Sequence, residues 1–507
     1  MPLSHLQSVA FLGIEALLID IEVDIKGSEK YSFVIVGLPD ASVKESKDRV
    51  LAAIKNSGFQ LDSCHATVNL APADIKKEGS LYDLPIALGI LSAQTKFQLS
   101  TEYLCVGELS LSGHLRPMKG ALASALLAKQ LGKKGILLPE KNKKEASVID
   151  GIQVFGMENL KEAWNFFQKP QAFKPTSASL VKEVNWPIEV DLKEIKGQTH
   201  VKRALEISAA GGHNLLFFGP PGSGKTLMAK ALSGLLPPLS DEEIIEVTKI
   251  HSLAGLLPED KGLFNLRPFR APHHTTSQMG LIGGGSHLRP GEITLAHQGI
   301  LFLDELPEFA RSTLEALRQP LENRSVCLSR AKGSVVFPAS FICVAAMNPC
   351  PCGLLGHPKK PCRDSGLQIH RYRSKISGPF LDRMDMHIEV PFVPFDELKS
   401  PTESESSSTV RQRVEEARKK QEKRLGINRI NSQMNAKELN TFCLLSSGCQ
   451  KLLQNAVDSL GISARGYHRL LKVARTIADL EHKETLGENH LLEALSYRNL
   501  ETQHPAN

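Results

Sequence analysis

Two kinds of hydrophobic pattern divide this chain. Within residues 1–167, apolar positions alternate with polar ones or recur at helical spacing. Residues 19–25 (Ile-Asp-Ile-Glu-Val-Asp-Ile) keep period two, the mark of a strand buried on one face, and 32–36 is a second strand. Asp40 then caps a helix whose apolar positions Val43, Val50, Leu51 and Ile54 share one side until Gly58 stops it. Residues 66–70 and 103–106 read as further strands and 83–95 as a helix, so the pattern predicts a compact α+β domain. Beyond residue 190 the strands change character. Residues 214–218, 299–303 and 341–347 are apolar almost throughout, as strands of a parallel sheet covered on both faces are. Helices follow at 201–210 and 227–235, and an α/β domain is expected over 191–395.

Two stretches break these patterns. Residues 168–190 are rich in Pro, Ser and Lys with no hydrophobic period and read as a linker; residues 396–409, acidic and Ser-rich, read as a flexible link. The remainder, 410–507, is helical. Its first helix, 410–425, is highly charged with few apolar positions, a solvated helix with paired charges. A later helix starts at its N-cap Ser463 and supplies apolar contacts from Leu470, Leu471, Val473, Ala474 and Ile477.

Composition changes this picture little. With 507 residues the chain has room for about three domains, and 41% hydrophobic with 23% charged residues is ordinary for a soluble globular protein. A net charge of +6 permits a nucleic-acid partner without arguing for one. No apolar run approaches the length of a membrane span. The first residues carry Glu15, Asp20, Glu22 and Asp24 with no cationic start, so no secretory signal is expected. Nine cysteines, three of them clustered (Cys350, Cys352, Cys362), suit a reduced cytoplasmic chain with one candidate metal site.

The strongest chemistry follows the apolar strand 214–218. Gly219, Pro220, Pro221, Gly222, Ser223, Gly224, Lys225 and Thr226 fit G-x-x-x-x-G-K-[ST] between a strand and a helix, the setting this phosphate-binding loop needs. Its backbone N–H groups would cradle the phosphates of ATP, Lys225 would reach the β and γ phosphates, and the Thr226 hydroxyl would ligate Mg²⁺. An acidic pair at a strand end is by itself often just a solvated end. Asp304 and Glu305 end the apolar strand 299–303 downstream of such a loop, which makes them a Walker B pair: Asp304 for Mg²⁺, Glu305 as general base.

Val36-Gly-Leu-Pro-Asp40, Val68-Asn-Leu-Ala-Pro-Ala-Asp74, Lys77-Glu-Gly-Ser80 and Gly107-Glu-Leu-Ser-Leu-Ser-Gly113 resemble the N-terminal domain of the bacterial Mg-chelatase-like AAA+ ATPases of the ComM/YifB family. The resemblance runs through the chain in three blocks. It implies a multidomain α/β protein: an N-terminal α+β domain similar to the Lon protease domain and ribosomal protein S5 domain 2, a central AAA+ P-loop domain, and a C-terminal α-helical lid. A Lon-type protease needs a serine activated by a lysine. Leu122 stands where the lysine should be and Leu81 or Tyr82 where the serine should be, and nearby Ser80 reads as a turn residue, so proteolysis is not expected.

Asn348, ending the strand 341–347, resembles sensor 1, which orients the lytic water. Residues 377–385 resemble an arginine-finger motif in which Arg383 serves a neighbouring subunit; the plainer reading is a local pair with Asp382 or Asp385. Arg465 lies in the first turn of its helix, against the dipole, and its match to sensor 2 names the γ-phosphate as its partner. An insertion over 267–277 and 280–291 carries Arg267, Arg270, His273, His274, His287 and Arg289, and the resemblance aims it at a central pore. A hairpin over 328–337, with Arg330 and Lys332 near its tip, is the other candidate pore loop. In the cysteine cluster Asp364 occupies the place of the family's usual fourth cysteine. Cys350, Cys352 and Cys362 with Asp364 or His357 would make a structural zinc site, the alternative being unliganded thiols. The family implies a homohexameric motor that hydrolyses ATP while moving along single-stranded or branched DNA, a helicase promoting branch migration in natural transformation. A chelatase-type or MoxR-like ATPase remodelling a protein complex, and a non-hydrolysing scaffold, are the other readings. The intact Asp304, Glu305, Asn348 and Arg383 argue against the scaffold.

Overall fold

The computed structural model describes residues 3–177, 189–257, 262–285, 288–330, 333–357, 360–393 and 405–498. It divides into two compact units, Met1–Val184 with Asp241–Asn265, and Asn185–Ser240 with Leu266–Asn507. In the first unit a four-stranded sheet runs in the order Leu3–Leu12, Glu15–Gly27, Cys64–Ala71, Ser32–Val36; its first three strands are antiparallel neighbours and the last is parallel to Cys64–Ala71. The period-two stretch lies in Glu15–Gly27, where Ile19, Ile21 and Val23 are fully buried. Asp40 caps the helix Ala41–Asn56 by accepting from the Val43 amide at 2.8 Å. The helix Asp83–Thr95 is buried from Asp83 through Ala93, as an element apolar all round must be. Its buried carboxylate is answered by Arg49 Nε at 2.9 Å. A second, parallel sheet joins Tyr103–Cys105, Gly135–Pro139 and Gln153–Met157.

Two segments depart from the sequence expectation. The stretch read as a linker from residue 168 stays packed on this unit at first: the Phe173 ring lies 5.4 Å from Phe166, and the Thr176 amide donates to the Val154 carbonyl at 2.8 Å. Only 178–188 of that linker lie outside the described residues. Residues 241–265 also group with the first unit. The helix Asp241–Ala254 is fixed by Ser252, whose hydroxyl donates to buried Glu145 at 2.5 Å and accepts the Gly120 amide at 2.9 Å; Glu145 also accepts the Leu122 amide at 2.8 Å.

The second unit is built on a five-stranded parallel sheet, ordered Phe269–Arg270, Ile300–Leu303, Ile342–Met347, Leu215–Phe218, Met386–Glu389. Alternate residues Leu215, Phe217, Ile300, Phe302, Val344 and Ala346 enter one core with Leu205, Leu232, Val414, Leu470 and Val473 from the helices Thr199–Gly211, Lys225–Leu235, Ser407–Leu425 and Ala464–Leu480. Residues 267–270 are therefore not wholly an insertion: Phe269–Arg270 is the edge strand beside Ile300–Leu301. The helix expected from residue 410 starts at Ser407 with Ser406 as its cap, so the flexible-link reading fails at 406–409; 394–404 lie outside the described residues. Nor is this helix merely solvated. Val410, Val414, Ala417, Gln421 and Leu425 form a buried stripe, and Arg418 donates to the Ala209 carbonyl at 2.7 Å while Arg424 pairs with Asp479 at 2.6 Å. No helix among the described residues is long and apolar enough to cross a membrane.

Candidate functional site

The strand Leu215–Phe218 delivers the phosphate-loop sequence to the C-terminal edge of the sheet, between the strands that end in Asn348 and at Glu389. A Cβ at Gly219 would lie 2.1 Å from the Val390 carbonyl oxygen, so only glycine fits there. Gly222 and Gly224 take φ of 76° and 90°, the left-handed region that glycine enters freely. A Cβ on either would meet nothing within 4 Å, so their backbone faces open space where a phosphate could approach. Ser223 Oγ is buried without a hydrogen-bond partner among the described residues.

Lys225 opens the helix Lys225–Leu235. Its ammonium donates to the carbonyls of Gly219 at 2.8 Å and Pro220 at 2.9 Å and to Asn348 Oδ1 at 3.2 Å. Burial lowers its pKa, and Asp304 opposes that shift. Thr226 Oγ1 donates to Asp304 Oδ2 at 2.9 Å, and the other Asp304 oxygen accepts the Glu305 amide at 2.9 Å. This pair of hard oxygen donors suits Mg²⁺. Glu305 has φ of 51° and is largely exposed; its carboxylate meets His274 Nδ1 at 3.3 Å. Tyr372, whose pKa burial pushes up to about 12, bonds the Asn348 backbone. Walker A, Walker B and Asn348 thus form one connected set.

The arginines stand apart from that set. Arg383 is buried, donating through Nε to the Arg318 carbonyl at 2.9 Å, through Nη1 to Pro379 at 2.6 Å and through Nη2 to Glu322 at 2.6 Å. The alternative reading, a local pair with Asp382 or Asp385, is not what forms. Arg469, not singled out from the sequence, takes Asp385 at 2.8 Å. Arg465 is 59% exposed, with Glu322 at 3.5 Å. Ser463 caps its helix, accepting the Gly466 amide at 3.0 Å. Glu322 carries no motif and was invisible to pattern reading.

Of the candidate DNA contacts, Arg267 donates to the carbonyls of Pro237, Gln298 and Pro238 at 2.6, 2.8 and 3.3 Å, and Arg270 forms a two-pronged pair with Glu292 at 2.7 and 2.9 Å. Both guanidinium groups are committed within the fold. The His273 and His274 rings lie with centroids 4.0 Å apart, tilted by 34°. The hairpin pairs Ser325–Arg330 with Gly333–Pro338; the side chain of Arg330, and all of Lys332 and His287, lie outside the described residues.

Cys350, Cys352 and Cys362 set their sulfurs 3.5 to 3.6 Å apart, close to the ~3.8 Å edge of a tetrahedron with Zn–S of ~2.3 Å. Asp364 Oδ2 lies 3.8 Å from the Cys362 sulfur and accepts the Cys352 amide at 2.8 Å. The four ligand atoms fall within 4.8 Å of one another. His357 is not among them. The cluster is compatible with zinc.

The parallel sheet, with the glycine-rich turn Gly219–Thr226 and the acids Asp304 and Glu305 at its edge, defines a protein of AAA+ α/β architecture. The chain matches the family descriptions "Magnesium chelatase, subunit ChlI" over 191–398, "Subunit ChlI of Mg-chelatase" over 21–142 and "Magnesium chelatase, subunit ChlI C-terminal" over 404–498. It is 44% identical over 507 residues to competence protein ComM of Haemophilus influenzae, covering 98% of both chains, and 44% identical over 505 residues to the uncharacterized protein YifB of Escherichia coli, covering 98% of this chain and 97% of the other. It is also 26% identical over 184 residues to Lon protease 2 of Bacillus subtilis, 33% of each chain. The chain belongs to the ComM/YifB family of Mg-chelatase-like proteins. That membership implies ATP and Mg²⁺. The positions compared with the Lon dyad hold buried Leu122 and Tyr82, and the Ser80 hydroxyl donates to Glu108.

Proposed function

We propose that this protein is an ATP-hydrolysing, homohexameric ring motor that acts on single-stranded or branched DNA in the cytoplasm, a helicase promoting branch migration as incoming DNA recombines during natural transformation. The observation that carries the ATPase half is that two hydrogen-bonded groups, Lys225 with Asn348 and Thr226 with Asp304 and Glu305, meet at the adjacent residues Lys225 and Thr226. The DNA half rests on the similarity to a protein named for competence.

In this reading Lys225 exchanges its carbonyl partners for the β and γ phosphates, and loop amides from Gly222 to Thr226 hold the remaining oxygens. Thr226 and Asp304 would hold Mg²⁺, which neutralises charge on the phosphates. Glu305 takes the proton of the attacking water, oriented by Asn348. Arg383 and Arg465 serve the nucleotide of a neighbouring subunit. His273, His274 and the hairpin Ser325–Pro338 meet DNA; zinc held by Cys350, Cys352, Cys362 and Asp364 ties down the loop after Asn348.

Steady-state ATP hydrolysis at low salt without DNA, with single strands and with a branched junction tests this, since phosphate contacts weaken as salt rises. Stimulation by DNA, abolished by Lys225→Ala, is expected. Hydrolysis indifferent to every DNA overturns the DNA half and leaves a protein-remodelling ATPase, a reading favoured to the extent that Arg267 and Arg270 are spent inside the fold.

A further inference from the structure

One carboxylate gathers both arginines that stand apart from the phosphate loop. Glu322 Oε2 accepts from Arg383 Nη2 at 2.6 Å, and Glu322 Oε1 faces Arg465 Nη2 at 3.5 Å. The two guanidinium groups come from distant parts of the chain, one just before the strand Met386–Glu389 and one from the helix Ala464–Leu480. Each takes a different oxygen of the same side chain. Arg383 is fixed by two further carbonyls, whereas Arg465 is exposed and has the longer contact. Two like charges this close repel unless an anion lies between them. Glu322 is half-exposed, on the short helix Arg318–Asn323 that leads directly into the hairpin Ser325–Pro338.

We infer that Glu322 is a positioning residue: it holds Arg383 and Arg465 together as a paired cationic unit that is presented to the nucleotide of a neighbouring subunit. The inference rests on the ring reading above. Glu322 makes no hydrogen bond or ion pair with a Walker residue, so nucleotide binding at the chain's own phosphate loop is independent of it. Its loss acts on the turnover of the next subunit.

The test uses the full-length protein and ATP with Mg²⁺. Glu322→Ala, and Glu322→Gln as a same-shape control that keeps a hydrogen-bond acceptor for buried Arg383, should leave the dissociation constant for a fluorescent nucleotide unchanged, and the Gln variant should hold its thermal midpoint closer to that of the natural chain than the Ala variant does. Both should lower kcat by about tenfold or more, part of the roughly thousandfold that an arginine finger supplies. Mixing Glu322→Ala subunits with Lys225→Ala subunits then separates cis from trans. Each is deficient alone, but a Glu322→Ala site flanked by the intact arginines of a Lys225→Ala neighbour should recover turnover, as should an Arg383→Ala with Lys225→Ala mixture. Recovery only in the Arg383 mixture overturns the role of Glu322 while sparing the ring reading. Recovery in neither overturns the trans arginines and Glu322 with them. Undiminished kcat in both Glu322 variants also overturns the role.

Discussion

His387 should make the ATPase-bearing unit sensitive to mild acid. It lies in the strand Met386–Glu389, where the side chain is buried, and burial together with the Arg498 cation lowers its pKa from 6.5 to about 3, against a weaker pull from the Leu381 backbone and Asp385. For a base whose folded pKa is depressed, the unfolded chain binds the proton first. Stability is therefore complete above pH 6.5 and falls as pH drops below it, until the folded pKa is reached. From about pH 7 to about pH 5 the loss from this one group is ~2 kcal/mol, at ~1.4 kcal/mol for each pH unit once the unfolded imidazole is charged. Whole-molecule fluorescence would not isolate the effect, because Trp164, one of two tryptophans, lies in the other unit. Hydrogen exchange by mass spectrometry over 384–390, at increasing urea and corrected for intrinsic rates, reads the right strand. His387→Leu removes the titration, so its protection should lose ~2 kcal/mol less than that of the natural chain between the same two pH values. Equal losses in the two chains, or none in either, would refute the assignment.

Three further outcomes follow from the geometry. Thr226→Ala removes one of the two oxygen donors that face each other across 2.9 Å, and should raise the Mg²⁺ concentration for half-maximal ATP turnover by about tenfold, on the scale of one lost charged hydrogen bond; a magnesium titration measures it. Purified protein should carry about one zinc per chain by elemental analysis. That zinc should be lost with Cys350→Ser or Asp364→Ala and kept with Asp364→Cys; metal-free natural protein would refute the cluster's role. Ser252→Ala should destabilise the first unit by about 1–3 kcal/mol, because buried Glu145 loses a donor, and Trp164 emission during urea unfolding in a Trp186→Phe background would register it.

What the sequence disclosed and what it hid have separate physical causes. The phosphate loop was legible because its glycines answer local demands, positive φ at Gly222 and Gly224 and the close approach of Val390 at Gly219. Phe269–Arg270 was not legible as a strand. Two residues next to Pro268 show no periodicity, and only pairing with Ile300 and Leu301 defines them. The helix Asp241–Ala254 has an amphipathic pattern, yet such a pattern says that a face is buried without saying against which core; Ser252 and Glu145 decide that across more than a hundred residues. The stripe on Ser407–Leu425 was hidden for a different reason. Its buried positions are few and widely spaced among charged residues, and two of them, Ser407 and Gln421, are polar. Ion-pair partners were the least legible of all, since Arg383 had nearby aspartates in sequence and chose Glu322 instead.

Asn214 explains why these distant choices are mutually consistent. It stands just before the strand that feeds the phosphate loop, and it uses both ends of its amide. Oδ1 accepts the Cys343 amide at 2.9 Å in the strand that leads to Asn348, and Nδ2 donates to the Arg383 carbonyl at 3.1 Å. Its backbone exchanges hydrogen bonds with Asp385, whose carboxylate accepts the Asn214 amide at 2.8 Å. Arg469 on the helix Ala464–Leu480 then donates to the same Arg383 carbonyl at 2.6 Å and to Asp385 at 2.8 Å. Burial alone would raise the Asp385 pKa, but Arg469 and His213 outweigh it and hold the carboxyl well below the usual carboxylate range, so the network stays charged. One buried cluster therefore sets the relative positions of the phosphate-loop strand, the strand that ends at Asn348, the backbone of Arg383 and the helix bearing Arg465. Within this unit, the helix Ala464–Leu480 is tied to the backbone of Arg383, because Arg469 is bonded to that residue's own carbonyl. The Glu322 carboxylate joins this cluster through Arg383, whose side chain bonds both Glu322 and the Arg318 carbonyl on the same short helix, while the longer contact to exposed Arg465 is the looser of the two.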